Sequence, residues 1–162
     1  MLIVDSREKW TQNSAPSLIR SYLKRHNIPY VVRALDCGDY MMSDGDISVD
    51  RKKTLDELAK NLLNPHDKAR FYRELRRAKE HGIRLIILCE HGAGVKSVSD
   101  VIRWRSRYGR VTGKALARAI TKAELSYGIR FVFCDKRSTA RLIISLLEGR
   151  DEVQSLCTEN KR

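Results

Sequence analysis

What this chain has little of narrows its class before any motif is read. It holds four cysteines, Cys37, Cys89, Cys134 and Cys157, with no C-x-x-C pair among them. That spacing argues against a zinc box, and a chain long enough to bury a real core has no need of a disulfide framework. A reducing compartment is therefore expected: cytoplasmic, nucleoid-associated, or nuclear in a eukaryote. Long apolar runs are missing too, and a stretch such as residues 85–89 falls far short of the roughly 20 residues that span a bilayer. Met1 leads straight into a strand-like run, so no secretory signal is read there. Neither an internal repeat nor a low-complexity tract is present.

Acidic side chains are the scarcer sign, 20 against 32 lysines and arginines, which leaves a net charge of +12 and a pI near 9.8. So large a surplus points to a polyanionic partner, nucleic acid ahead of a membrane surface. At 162 residues the chain fits one domain, placed at 1–149, followed by a polar tail over 150–162.

The most informative stretch is 38–56, G-D-Y-M-M-S-D-G-D-I-S-V-D-R-K-K-T-L-D. Asp44-Gly45 is a strong hairpin signal of the type I′ kind, with positive φ at both positions. Centred there, the register pairs residues whose numbers sum to 89, which sets Asp39 opposite Asp50. Alternation along the strands puts Tyr40, Met42, Ile47 and Val49 on one face, and Asp39, Ser48, Asp50 and Lys52 on the other. The apolar face is expected to pack on the core and the acidic one to lie away from it. Two like charges directly opposite each other are destabilising, and a hard divalent cation between them would remove the penalty. Lys52, two residues beyond Asp50, could hold or polarise a water beside such a metal. Taken alone, the motif also fits an ordinary hairpin with a solvated polar face.

Four short motifs in order change the balance: Val4-Asp5-Ser6-Arg7-Glu8, Gly38-Asp39, Asp50-Arg51-Lys52, and Asp56 four residues after the lysine. Together they resemble the nuclease domain of the XPF-type structure-specific endonucleases. The likeness covers about residues 1–148 and is most specific up to Asp56. It implies a restriction-endonuclease-like fold with Mg²⁺ or Mn²⁺ as cofactor, and with Asp39 and Asp50 as metal ligands. By the same implication Asp5 contributes through water or directly, Lys52 positions the attacking water, and Glu8 and Asp56 support the site. Arg7 and Arg51 would neutralise phosphate or lock the acids. Two departures stand out: Asp50 occupies the position of the family's usual glutamate, and neither a helicase nor a helix-hairpin-helix module is seen.

Elsewhere the pattern predicts a helix opening near Ser14 to Pro16, a strand over 30–35, and a capping box at Thr54 and Glu57 starting a helix to about Leu63. A long helix follows to Glu80, with Phe71, Leu75 and Ala78 inward. Its Arg70, Arg73, Arg76 and Arg77 are equally compatible with a DNA-facing surface and a solvated one. A buried strand over 83–89, a second capping box at Ser97 and Asp100, a helix stopped by Gly128, a strand over 129–134 and a last helix capped by Ser138 complete the chain. Between Lys96 and Lys122 the only acid is Asp100. Arg103, Trp104, Arg105, Arg107, Tyr108, Arg110 and Lys114 therefore read as a DNA-contacting surface, guanidinium for phosphate and ring for base. The packing alternative for Trp104 is the core. The last helix, rich in Leu and Ile, suggests a homodimer face. His26, His66, His81 and His91 have no metal-box spacing.

The order of elements implies an α/β layered domain with a mixed sheet. The function expected is metal-dependent phosphodiester cleavage near branched, flapped or junction DNA. The competing classes are a non-catalytic DNA-binding subunit of the same fold and a dimerisation adaptor.

Overall fold

Every strand among the described residues enters a single sheet. The computed structural model describes residues 1–8, 17–91 and 94–150. In sequence order the strands are β1 (Leu2–Asp5), β2 (Tyr30–Arg33), β3 (Tyr40–Met42), β4 (Ile47–Lys52), β5 (Arg84–Glu90) and β6 (Arg130–Cys134). The helices are α1 (Ser17–Arg25), α2 (Leu55–Leu63), α3 (Pro65–Glu80), α4 (Val98–Val101), α5 (Gly113–Tyr127) and α6 (Thr139–Leu147). In space the strands run β2-β1-β3-β4-β5-β6. β1 is parallel to β2, β3 is antiparallel to both β1 and β4, and β4, β5 and β6 are mutually parallel. The result is the α/β layered, mixed-sheet architecture expected.

Each sheet face buries its own apolar cluster. On one side α2, α3, α4 and α5 cover Leu85, Ile87, Cys89, Phe131 and Phe133. On the other, α1 and α6 cover Leu2, Val4, Tyr40, Ile47, Val49 and Leu88. The apolar residues of α6, Leu142, Ile143, Ile144, Leu146 and Leu147, are all buried within this second cluster. They therefore leave no surplus face, and the homodimer expectation loses the observation it rested on.

Local chemistry explains the helix ends. Thr54 Oγ1 accepts the Glu57 N–H at 3.1 Å, but the Glu57 carboxylate reaches back to the Lys53 N–H rather than to Thr54. Asn64 caps α3 through its side chain, with Pro65 at the first position, where the missing N–H costs nothing. Ser97 and Asp100 form the predicted capping box. The cap expected from Ser138 is supplied instead by Asp135, which accepts the N–H groups of Arg137 and Ser138 at 2.8 and 3.0 Å. The predicted start of α1 at residues 14–16 and the tail beyond Arg150 lie outside the described residues.

The β3–β4 hairpin has the predicted register, Tyr40↔Val49 and Met41↔Ser48, but not the predicted turn. Neither Asp44 nor Gly45 has positive φ. The chain instead reverses over residues 42–45, with the Gly45 N–H donating to the Met42 carbonyl at 3.2 Å. The strand ends meet as the hydrophobic pattern requires, so register survives the change of turn. A second correction concerns the acidic face. Because β4 is interior to the sheet and α2 and α3 lie over it, Ser48 and Asp50 are buried as deeply as the apolar residues opposite.

Candidate active site

Alternation along β4 sends Asp50 and Lys52 to the α2–α3 side of the sheet and Arg51 to the other. The antiparallel ladder stops at Tyr40↔Val49, and beyond it Asp39 takes over. Its N–H donates to the Val49 carbonyl at 2.9 Å, its own carbonyl accepts the Asp5 N–H at 2.8 Å, and its Oδ2 accepts the Arg51 N–H at 2.8 Å. Asp39 thus joins β1 to β4 through backbone and side chain together. Gly38 allows this by adopting φ +71°, and a Cβ there would collide with the Ser48 hydroxyl.

Asp39, Asp50 and Lys52 line one cleft of about 270 Å³ together with Asn61, Phe71, Glu74 and the arginines Arg7, Arg70, Arg73 and Arg77. The Lys52 ammonium lies 2.8 Å from Asp50 Oδ2 and 5.3 Å from the centre of the Phe71 ring. Burial alone would lower the lysine's pKa, but Asp50 above all, with Asp39 and Glu74, reverses this and holds it above its usual value. The acids around it thus favour the ammonium form of Lys52. Asp39 titrates well above the ordinary carboxylate range, first through burial and then through Asp50 and Glu8. Glu74 is raised as well, by burial and by Asp50. The like-charge tension foreseen from the register is thus present, and Glu74 adds to it.

Glu74 and Asn61 were not singled out from the sequence. Glu74 accepts the Gly38 N–H at 2.8 Å from the flank of the stripe formed by Phe71 and Leu75. An acid adjoining an apolar helical stripe was the available signal. Asn61 is buried in α2, and among the described residues its Oδ1 has no hydrogen-bond partner.

The remaining predicted site residues occupy other places. Asp5 is 1% exposed and both its oxygens are taken: Arg7 grips it twice at 2.8 Å and the Leu35 N–H donates at 2.8 Å. Burial would raise its pKa, but these donors lower it overall. Arg51 is buried on the far side of the sheet, between Glu90 at 3.1 Å and Glu8 at 3.4 Å, and Tyr40 donates to Glu8 at 3.2 Å. Asp56 accepts a 2.6 Å hydrogen bond from Ser106 and borders a different groove with Tyr108. Asp5, Glu8 and Asp56 are not among the residues lining the cleft. Of the predicted DNA surface, Arg103, Arg105, Arg107, Tyr108, Arg110 and Lys114 are exposed. Trp104 is half-buried against the α2–α5 cluster. A groove of about 810 Å³ runs between α4 and α5, away from the carboxylates.

The acids suit a divalent cation on one structural ground. Asp50 Oδ2 is buried, and among the described residues the Lys52 ammonium at 2.8 Å is the one group against it. Among the described residues no three His, Cys, Asp or Glu side chains close a cage. Two carboxylates would leave most of a Mg²⁺ shell to water and phosphate, which that ion prefers.

A mixed six-stranded sheet flanked by helices, with paired acids and a lysine in a cleft between β3, β4 and α3, defines an XPF-type nuclease domain. Solved structures of XPF from Aeropyrum pernix are similar in fold. One is 28% identical with a TM-score of 0.63, covering 96% of this chain and 69% of that one. The other, a complex with DNA, is 28% identical with a TM-score of 0.64, covering 91% of this chain and 63% of that one. The chain belongs to the ERCC4 domain family, whose model matches residues 4–146. Comparison with curated proteins gives no match.

Proposed function

We propose that the chain is a divalent-metal-dependent endonuclease that cleaves a phosphodiester bond near a branch, flap or junction in DNA. The observation that carries this reading is the gathering of Asp39, Asp50 and Lys52 in one cleft rimmed by arginines. Asp39 and Asp50 would hold Mg²⁺ or Mn²⁺, which when bound supplies an activated water and neutralises phosphoryl oxygens. Lys52, kept protonated by the acids around it, orients that water or a non-bridging oxygen. Asp5 acts through Arg7, fixing its guanidinium at the cleft mouth. Glu8 and Glu90 hold Arg51, whose N–H in turn positions the Asp39 carboxylate. The DNA complex of the similar XPF supports nucleic acid as the partner.

The test is single-turnover cleavage of forks, flaps, four-way junctions and linear duplexes in Mg²⁺ and Mn²⁺, with binding measured separately in Ca²⁺. Lys52→Ala is expected to cut at least about 100-fold more slowly while binding almost as well, the scale of losing a general acid-base group. Calorimetry should show Mn²⁺ binding that Asp39→Asn or Asp50→Asn removes. Absence of cleavage by the wild type across all substrates would favour a DNA-binding scaffold instead.

A further inference from the structure

The α3 surface over the cleft carries positive charge that neither packing nor the acids account for. Arg70, Arg73 and Arg77 stand at i, i+3 and i+7, on the face adjoining the buried residues Phe71, Leu75 and Ala78. All three line the cleft of Asp39, Asp50 and Lys52. Arg77 donates to the Asp36 carbonyl at 2.7 Å. Arg70 and Arg73 are exposed, and among the described residues neither makes a hydrogen bond or an ion pair. On a helix surface an acid four residues on can pair with an arginine, and Glu74 stands at that spacing from Arg70. Glu74 is instead turned inward to the Gly38 N–H. The arginines are left with free donors beside a cleft whose carboxylates, unaided, would repel a polyanion.

We propose that Arg70 and Arg73 are phosphate contacts for the DNA strand entering the cleft, with α3 as the rail along which its backbone lies. The inference rests on the nuclease reading and names the surface by which that site takes its substrate. From residue 70 to 77 a helix rises about 10 Å, long enough for Arg70 and Arg73 to meet two successive phosphates of one strand. Arg7, fixed by Asp5, closes the mouth from the β1 side. Guanidinium forks suit this task because they bind phosphate oxygens in pairs.

The experiment measures the salt dependence of binding to a fluorescent DNA fork in Ca²⁺. Arg70→Ala/Arg73→Ala should lower the log-log slope by about 1.4 to 1.8, two phosphate contacts at 0.7 to 0.9 each, and weaken binding at least about tenfold. Lys24→Ala/Arg25→Ala removes the same charge from the end of α1, across the sheet, and should leave the slope nearly unchanged. Equal slopes for the wild type and the α3 variant would overturn the inference, as would equal losses in the two variants. The replaced side chains are exposed and, among the described residues, unpartnered, so an unchanged melting temperature is expected. Failure of the nuclease reading looks different: a wild type that binds with the predicted slopes and cuts nothing keeps the rail and loses the enzyme. A wild type that binds no DNA overturns both.

Discussion

Asp39 shows what burying a carboxylate beside others costs. Its folded-state pKa is raised by burial, by Asp50 and by Glu8, so folding favours its protonated form. Its contribution to stability is full below the ordinary carboxylate range and is lost as pH rises through the raised folded value. Metal-free protein should therefore gain from Asp39→Asn at neutral pH, with a rise in melting temperature of about 2–4 °C for each kcal/mol relieved. The gain should vanish toward the ordinary Asp range, near pH 4, and thermal unfolding in EDTA from pH 4 to 8 checks it. Asp5 has the opposite sign. Arg7 and the Leu35 N–H depress it, so its contribution is present above the ordinary range and is lost as pH falls through the lowered folded value. At wild-type Asp39 a pH-independent melting temperature would contradict the buried-pair account. Alternation and register alone bring Asp39, Asp50 and Lys52 together, which is why they were legible in the sequence. The depth of their burial was not, because it depends on α2 and α3 folding back over β4.

At the scale of elements, the same distinction separates what patterning reveals from what it hides. Caps at Thr54, Asn64 and Ser97 and the stop at Gly128 are local chemistry, readable within a few residues of each helix end. The turn between β3 and β4 is equally local, yet the pairing around it overrode the Asp-Gly preference for left-handed φ. Glu74 and Asp56 were obscured for another reason. Whether a first-turn acid or a stripe-flanking acid faces the cleft depends on helix placement, and that is a tertiary property. α2 shows this well, since its buried Asn61 lines the cleft while its first-turn Asp56 ties down Ser106 in the exposed 105–112 loop. That loop is otherwise closed by the Arg105↔Thr112 bridge, the Tyr108 N–H on Ser106 Oγ and the packing of Val111 on the core. Asp56→Ala should release it, speeding tryptic cleavage between Arg105 and Arg110 several-fold while leaving single-turnover DNA cleavage at saturating enzyme within about threefold. A large loss of cleavage with an unchanged tryptic pattern would return Asp56 to the reacting centre. Gly38→Ala tests the cleft from the opposite direction. Positive φ and the Ser48 hydroxyl both oppose a Cβ there, so a loss of about 1–3 kcal/mol is expected by chemical denaturation.

Across the whole molecule, two of the basic surfaces lie on either side of α2, whose residues border both. One is the α3 row with Arg7 at the cleft. The other is the exposed set Arg103, Arg105, Arg107 and Arg110 with Tyr108, which is 87% exposed. A linear duplex that satisfies the cleft has no second arm to offer the 105–112 loop, whereas a fork or flap does. Under the proposed function, engaging the second arm would be intramolecular, and affinity for a branched substrate would rise through effective concentration rather than through a better cleft. Arg105→Glu/Arg107→Glu should accordingly abolish the preference for forks over duplexes of equal length and leave duplex affinity within about twofold. Competition binding in Ca²⁺ at fixed salt measures this directly, since salt shifts every phosphate contact at once. Equal weakening of fork and duplex would mean that both surfaces track one continuous helix, and branch selectivity would then have to come from the shape of the cleft itself.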